Sequence, residues 1–171
     1  AGTCCHSPGI TSRGELADPE IRQQLLQAFD RQRQAIEDAD TQAIVMVSSE
    51  HFANFFMDNM PTYSIGMADE YEGPIEDPDW LKVPHTRIPA NPDLSLRIIQ
   101  QVLQSVDVSY AQEWKFDHGM AVPLHFLTPD YKIPIIPVNI NCQNPPFSPL
   151  SRIWELGKAL RSAIDIAPER I

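Results

Sequence analysis

AIVMVS, residues 43–48, is the stretch that decides the fold. It is short, apolar and rich in β-branched side chains, with no polar alternation, which is the pattern of a strand buried on both faces. Such strands belong to parallel sheets covered by helices. Upstream, Asp18-Pro19 joins an N-cap carboxylate to a proline at the first helical position. Ile21, Leu25, Ala28, Phe29, Gln32, Ala35, Ile36 and Ala39 then recur at helical spacing, with Arg22, Arg31, Arg33 and Glu37 toward solvent, so a helix is predicted to about Asp38. The AGTCC run at the start reads as the end of an earlier strand.

Downstream, residues 52–92 are rich in Pro, Gly and acidic residues and include YEGPIEDPDW, which predicts a long, irregular loop region. Long ordered loops in compact domains are often functional. Asn91-Pro92 repeats the cap-plus-proline signal, and Leu94, Ile98, Ile99, Val102 and Leu103 form the next amphipathic helix. VSYAQEW, residues 108–114, reads as a strand, followed by a turn at Phe116-Asp117-His118-Gly119 and a short apolar segment, Met120 to Leu127. IPIIPVNIN, residues 133–141, is a second buried strand, whose prolines suggest its start or an edge position. Ser148-Pro149 opens a last helix, with Leu150, Ile153, Trp154, Leu156, Ala159, Leu160, Ala163 and Ile164 as its buried stripe. The alternation of strand and helix predicts an α/β fold, a mostly parallel sheet with helices on both faces. Residues 1–171 are expected to form one catalytic domain. Both ends read as cut: the chain starts at Ala1 instead of Met, and ERI ends where a helix finishing at Ala167-Pro168 would hand over to another strand.

Composition narrows the classes of partner. The chain has 171 residues, 43% apolar and 21% charged, enough for a real core, and a net charge of -10. That acidity argues against nucleic acid or an anionic membrane, since either needs a basic face. No run approaches the ~20 apolar residues of a membrane span. The three cysteines, Cys4, Cys5 and Cys142, are odd in number and two are adjacent, unlike a secreted disulfide framework. A cytoplasmic protein is expected. Cys4 and Cys5 read as small buried strand residues, outside any site.

Five histidines are present, His6, His51, His85, His118 and His125. His6, His51 and His118 each follow a predicted strand, at the sheet edge where ligands bind in open α/β folds. A single histidine is more often a satisfied core or surface residue than a ligand; three at equivalent topological positions point to a shared site. His85, in VPHTRIP, lacks that placement, and His125 reads as structural. Two imidazoles with one carboxylate suit Fe(II) and oxygen activation, while the same imidazoles could hold zinc for hydrolysis. Glu50 precedes His51 and points to the opposite face of an extended chain, so it is expected to orient a neighbouring imidazole and not to bind metal.

Several stretches together resemble the class III extradiol ring-cleaving dioxygenases, the family of the protocatechuate 4,5-dioxygenase catalytic subunit. They are His6-Ser7-Pro8, Ser49-Glu50-His51-Phe52 with Phe55-Phe56, Met60-Pro61-Thr62-Tyr63-Ser64-Ile65-Gly66, Asp117-His118-Gly119 with Pro123-Leu124, and Ile136-Pro137-Val138-Asn139. The motifs keep the family order and span the chain, with Glu50 where the family usually has Asp. The resemblance implies that His6 and His51 are iron ligands and that His118 is the acid/base residue, with Asp117 beside it. It implies an Fe(II) cofactor, a catechol-type substrate, carboxylated as in protocatechuate or gallate, and O2 as the second substrate. An assembly of like or unlike subunits is expected. The family's third ligand, a glutamate, and a further histidine in a Gly-x-Ser-His motif have no counterpart in these residues, so the chain by itself is expected to be inactive. Two other readings are a non-catalytic subunit of a hetero-oligomeric dioxygenase, against which retention of three histidines counts, and a zinc hydrolase on the same fold.

Overall fold

The computed structural model describes all 171 residues. A short helix α1 (Gly9–Ser12) and a 3-10 turn (Gly14–Leu16) lead into the long helix α2 (Pro19–Asp38). Asp18 caps α2 as the sequence requires, its carboxylate accepting from the backbone N–H of Glu20 at 2.9 Å and of Ile21 at 3.2 Å. The strand at the heart of the sequence argument forms as β1 (Ile44–Ser49). After it come β2 (Tyr63–Gly66), β3 (Glu70–Gly73), α3 (Pro78–Leu81), β4 (Thr86–Pro89), α4 (Pro92–Val102), β5 (Ser109–Ala111), α5 (His118–Leu127), β6 (Ile135–Ile140) and α6 (Leu150–Asp165). No helix is long and apolar enough to cross a membrane.

The main sheet has the order β1-β6-β2-β5. β1 with β6 and β2 with β5 are parallel, while β2 with β6 is antiparallel. Helices cover both faces. On one, Ile136 and Val138 of β6 and Tyr63 and Ile65 of β2 pack with Leu94, Ile98 and Ile99 of α4 and Leu156 and Leu160 of α6. On the other, Ile135 packs with Met120, Val122 and Leu124 of α5 and with Tyr71, Leu81 and Ile88 from the 70–90 region. Ile135 and Ile136 facing opposite ways is the period-2 geometry of a strand buried on both sides. α2 lies behind α5, with Phe29 stacked on Phe126 at a ring separation of 4.6 Å.

Several expectations need correction. Residues 1–7 form no strand, and Cys4 and Cys5 are half-buried and exposed, all three cysteines being free. The 52–92 region is far more ordered than a loop, because it supplies β2 to the main sheet and the antiparallel pair β3–β4. β6 is an interior strand despite its prolines: its pairing with β2 ends at Ile65↔Val138, and Pro137 lies beyond it. There its ring packs on Gly66, where an added Cβ would sit 2.6 Å from Pro137 Cγ. The strand predicted over 108–114 shortens to β5, and the segment after His118 is a helix, α5. In α6 the helix starts at Leu150 with no side-chain cap, and Leu150 and Trp154, predicted buried, are 83% and 70% exposed.

Candidate metal centre and acid/base site

Three of the five histidines meet. The ring of His51 lies 5.2 Å from that of His6 and 4.4 Å from that of His118, and His6 and His118 are 6.0 Å apart between ring centres. One nitrogen from each lies within 4.8 Å of the others, close enough to converge on a single ion. The strand-end placement that the sequence suggests holds for His51 and fails for His6, which follows no strand. His51 stands two residues beyond β1, His6 lies in a segment without regular structure, and His118 is the first residue of α5.

His51 is held from both sides. Its Nδ1 is 2.8 Å from Asp117 Oδ2, and its Nε2 is 2.8 Å from the Ser49 hydroxyl. Asp117 is buried and caps α5, its other oxygen accepting from the N–H of Gly119 at 2.8 Å. An acceptor-only carboxylate on Nδ1 makes Nε2 the free ligand nitrogen, the arrangement by which a carboxylate orients a metal-binding imidazole. With Nδ1 donating to Asp117, the Nε2 lone pair is the one that meets the Ser49 hydroxyl. Gly119 explains why this turn needs glycine. A Cβ there would sit 2.7 Å from Ser48 Oγ, 2.9 Å from Asp117 Oδ1 and 3.0 Å from His51 Cε1.

His118 has a carboxylate of its own, from a residue the sequence reading passed over. Glu76 Oε1 accepts from the His118 backbone N–H at 2.9 Å and lies 2.6 Å from His118 Nδ1. That hydrogen bond is the main cause pushing the His118 pKa up, against an opposing effect of burial. His6 moves the other way: burial first, then the neighbouring His51 and His118, lower its pKa and favour the neutral, ligand-competent form.

Glu50 departs from its expected role. It is fully buried but hydrogen-bonds to no imidazole. Its Oε1 accepts from the backbone N–H of Ala53 at 2.6 Å and of Asn54 at 3.0 Å, and its Oε2 accepts from the Asn139 side-chain amide. It fixes the loop after His51 to β6. Asn54 ties the same loop to Lys115 through two hydrogen bonds, of 2.8 and 2.7 Å. His85 is half-exposed beside Glu72 at 3.5 Å, and His125 packs edge-on against Phe126 with its pKa lowered by burial; neither joins the cluster.

An α/β fold carrying a cluster of imidazoles, two of them bonded to carboxylates, has the donors of a candidate metal site. The chain belongs to the family described as the catalytic LigB subunit of aromatic ring-opening dioxygenase, whose model matches residues 1–170. Among its relatives, 2,3-dihydroxyphenylpropionate/2,3-dihydroxicinnamic acid 1,2-dioxygenase of Photorhabdus laumondii is 31% identical over 97% of this chain and 50% of that protein. The enzyme of the same name from Xanthobacter autotrophicus is 30% identical over 90% of this chain and 48% of that one. The chain thus spans about half the length of the curated relatives it matches. An uncharacterized protein of Escherichia coli K12 is similar in structure over 67% of this chain and 41% of that one, at 26% identity and a TM-score of 0.44.

Proposed function

We propose that these residues form the His6, His51 and His118 part of an Fe(II)-dependent extradiol dioxygenase that opens the ring of a catechol with O2. The observation that carries this reading is the meeting of three imidazoles, two of which have Nδ1 engaged by a carboxylate. The donor set fits the metal: neutral imidazole nitrogens suit Fe(II), and the three nitrogens lie within reach of one ion. His6 and His51 would hold it. Iron, when bound, supplies the site at which catechol oxygens and O2 meet.

The remaining work falls to the protein. Asp117 keeps the His51 ring oriented and its Nδ1 proton in place. His118, with Nδ1 bonded to Glu76, accepts a proton at Nε2 from a catechol hydroxyl and returns it later in the reaction. The loop after His51, pinned by Glu50 and Asn54, keeps the distance between these imidazoles fixed. The curated relatives act, by name, on a dihydroxyphenyl acid, which supports a catechol bearing a carboxylate as substrate.

The test is anaerobic reconstitution of the intact enzyme with Fe(II), then oxygen and a panel comprising 2,3-dihydroxyphenylpropionate, protocatechuate and gallate. The expected result is oxygen uptake equal to substrate consumed, with a ring-opened product. An enzyme active with zinc and silent with iron would overturn the reading in favour of a hydrolase.

A further inference from the structure

We infer that Glu76 is the positioning residue of His118, fixing both where its ring lies and which nitrogen is free for proton transfer. The inference rests on the reading of His118 as the acid/base residue. It starts from the geometry of one carboxylate oxygen. Glu76 Oε1 accepts the backbone N–H of His118 at 2.9 Å, so that oxygen is already an acceptor when it meets Nδ1 at 2.6 Å. Nδ1 is therefore the donor. An imidazole whose Nδ1 carries the proton has its lone pair on Nε2 alone, which is the state a general base needs. Because the same oxygen also grips the main chain at the first residue of α5, ring and helix terminus are oriented together.

The placement of Glu76 is built into the surrounding backbone. Ile75 N–H donates to Phe116 O at 3.0 Å, Phe116 N–H donates to Glu72 O at 3.3 Å, and Glu72 and Lys115 form a parallel bridge. Gly73 is what allows the two segments to lie so close: a Cβ there would stand 2.4 Å from Phe116 O. The Glu72–Ile75 segment is thereby laid along the residues that lead into His118, and Glu76 is delivered to the ring from a position 42 residues earlier in the chain. Glu76 is largely buried, its side chain 17% exposed, and the other two imidazoles are not its partners.

The experiment compares Glu76→Ala, Glu76→Gln and His118→Ala in the intact enzyme. It measures iron stoichiometry, kcat and KM with a catechol, and the imidazole tautomer of His118 by 15N NMR on the zinc-loaded, diamagnetic form at alkaline pH. Glu76→Ala is expected to keep its iron, lower kcat about 10- to 100-fold with KM little changed, and move the His118 proton off Nδ1. Glu76→Gln keeps an oxygen that accepts both bonds, so it should recover most of kcat and the Nδ1–H tautomer. The inference is overturned if Glu76→Ala retains the Nδ1–H tautomer and full kcat, if it loses iron, or if Glu76→Gln is as impaired as Glu76→Ala. Should His118→Ala turn over like the parent enzyme, the acid/base reading of His118 falls, whereas the tautomer measurement judges the role of Glu76 separately.

Discussion

His51 and His118 lie ring to ring, 4.4 Å apart, and each has its Nδ1 on a carboxylate, but the two carboxylates come from different kinds of place. Asp117 belongs to the Asp-His-Gly turn itself and doubles as the N-cap of α5. Glu76 arrives from the region between β3 and α3 and is aimed by backbone pairing with residues 115–116. The contrast separates two tasks. A ligand imidazole needs a rigid, buried partner that keeps Nε2 on the metal, while an acid/base imidazole needs a partner that holds it in place but leaves Nε2 to exchange protons.

If the two histidines divide the labour in this way, their removal must fail differently. The largest effect is expected from His51→Ala, which deletes a ligand: purified variant reconstituted with Fe(II) should retain little iron, as should His6→Ala. Full iron stoichiometry in His51→Ala would refute the ligand assignment. His118→Ala comes next. Iron should stay near the parent level while kcat falls by about 10²- to 10⁴-fold, the usual contribution of a positioned acid/base group. Loss of iron from this variant would merge the two roles into a three-histidine centre.

Asp117→Asn probes the pair from the carboxylate side and should have a smaller effect. Asp117 accepts with both oxygens and an amide has only one, so Asn can keep the His51 Nδ1 bond only by giving up the bond from Gly119 N–H. The negative charge beside the ring is also gone, and iron affinity should weaken about 10- to 100-fold. Competition against a chelator measures this. Unchanged affinity would make Asp117 a helix cap and nothing more.

The histidines were legible in the sequence because they fall in short motifs next to predicted elements. Their partners were only half so. Asp117 is adjacent to His118, and its capping position could be read from Asp-His-Gly; Glu76 sits in an acidic, proline-rich stretch that carries no periodicity, and its partner is 42 residues away. The same physics accounts for the fold. Asp18-Pro19 and Asn91-Pro92 placed two helix starts correctly, because caps are local hydrogen bonds between residues two or three apart. α5 carries no helical signal in the sequence because, buried on most sides with Pro123 inside it, it shows no polar face to set a helical period. Trp154 and Leu150 show the reverse failure, apolar spacing on α6 that this chain leaves exposed.

Glu50 makes the sharpest control, being a buried carboxylate next to the proposed ligand His51 that bonds to no imidazole. Its two oxygens serve the N–H groups of Ala53 and Asn54 and the Asn139 amide, so Glu50→Ala orphans three donors and opens a cavity, and should cost about 2–4 kcal/mol of stability. Glu50→Gln should be milder, about 1 kcal/mol: one amide oxygen can keep the two backbone bonds, and Asn139, whose Oδ1 is buried without a partner, can turn that oxygen to meet the new NH2 group. Thermal unfolding measures both, and chelator competition on the folded Glu50→Gln protein should give iron affinity close to that of the parent. If Glu50→Gln instead weakened iron as much as Asp117→Asn while leaving the unfolding temperature unchanged, the carboxylate beside His51 would be part of the metal site after all, and the division between imidazole-orienting and loop-anchoring acids would collapse.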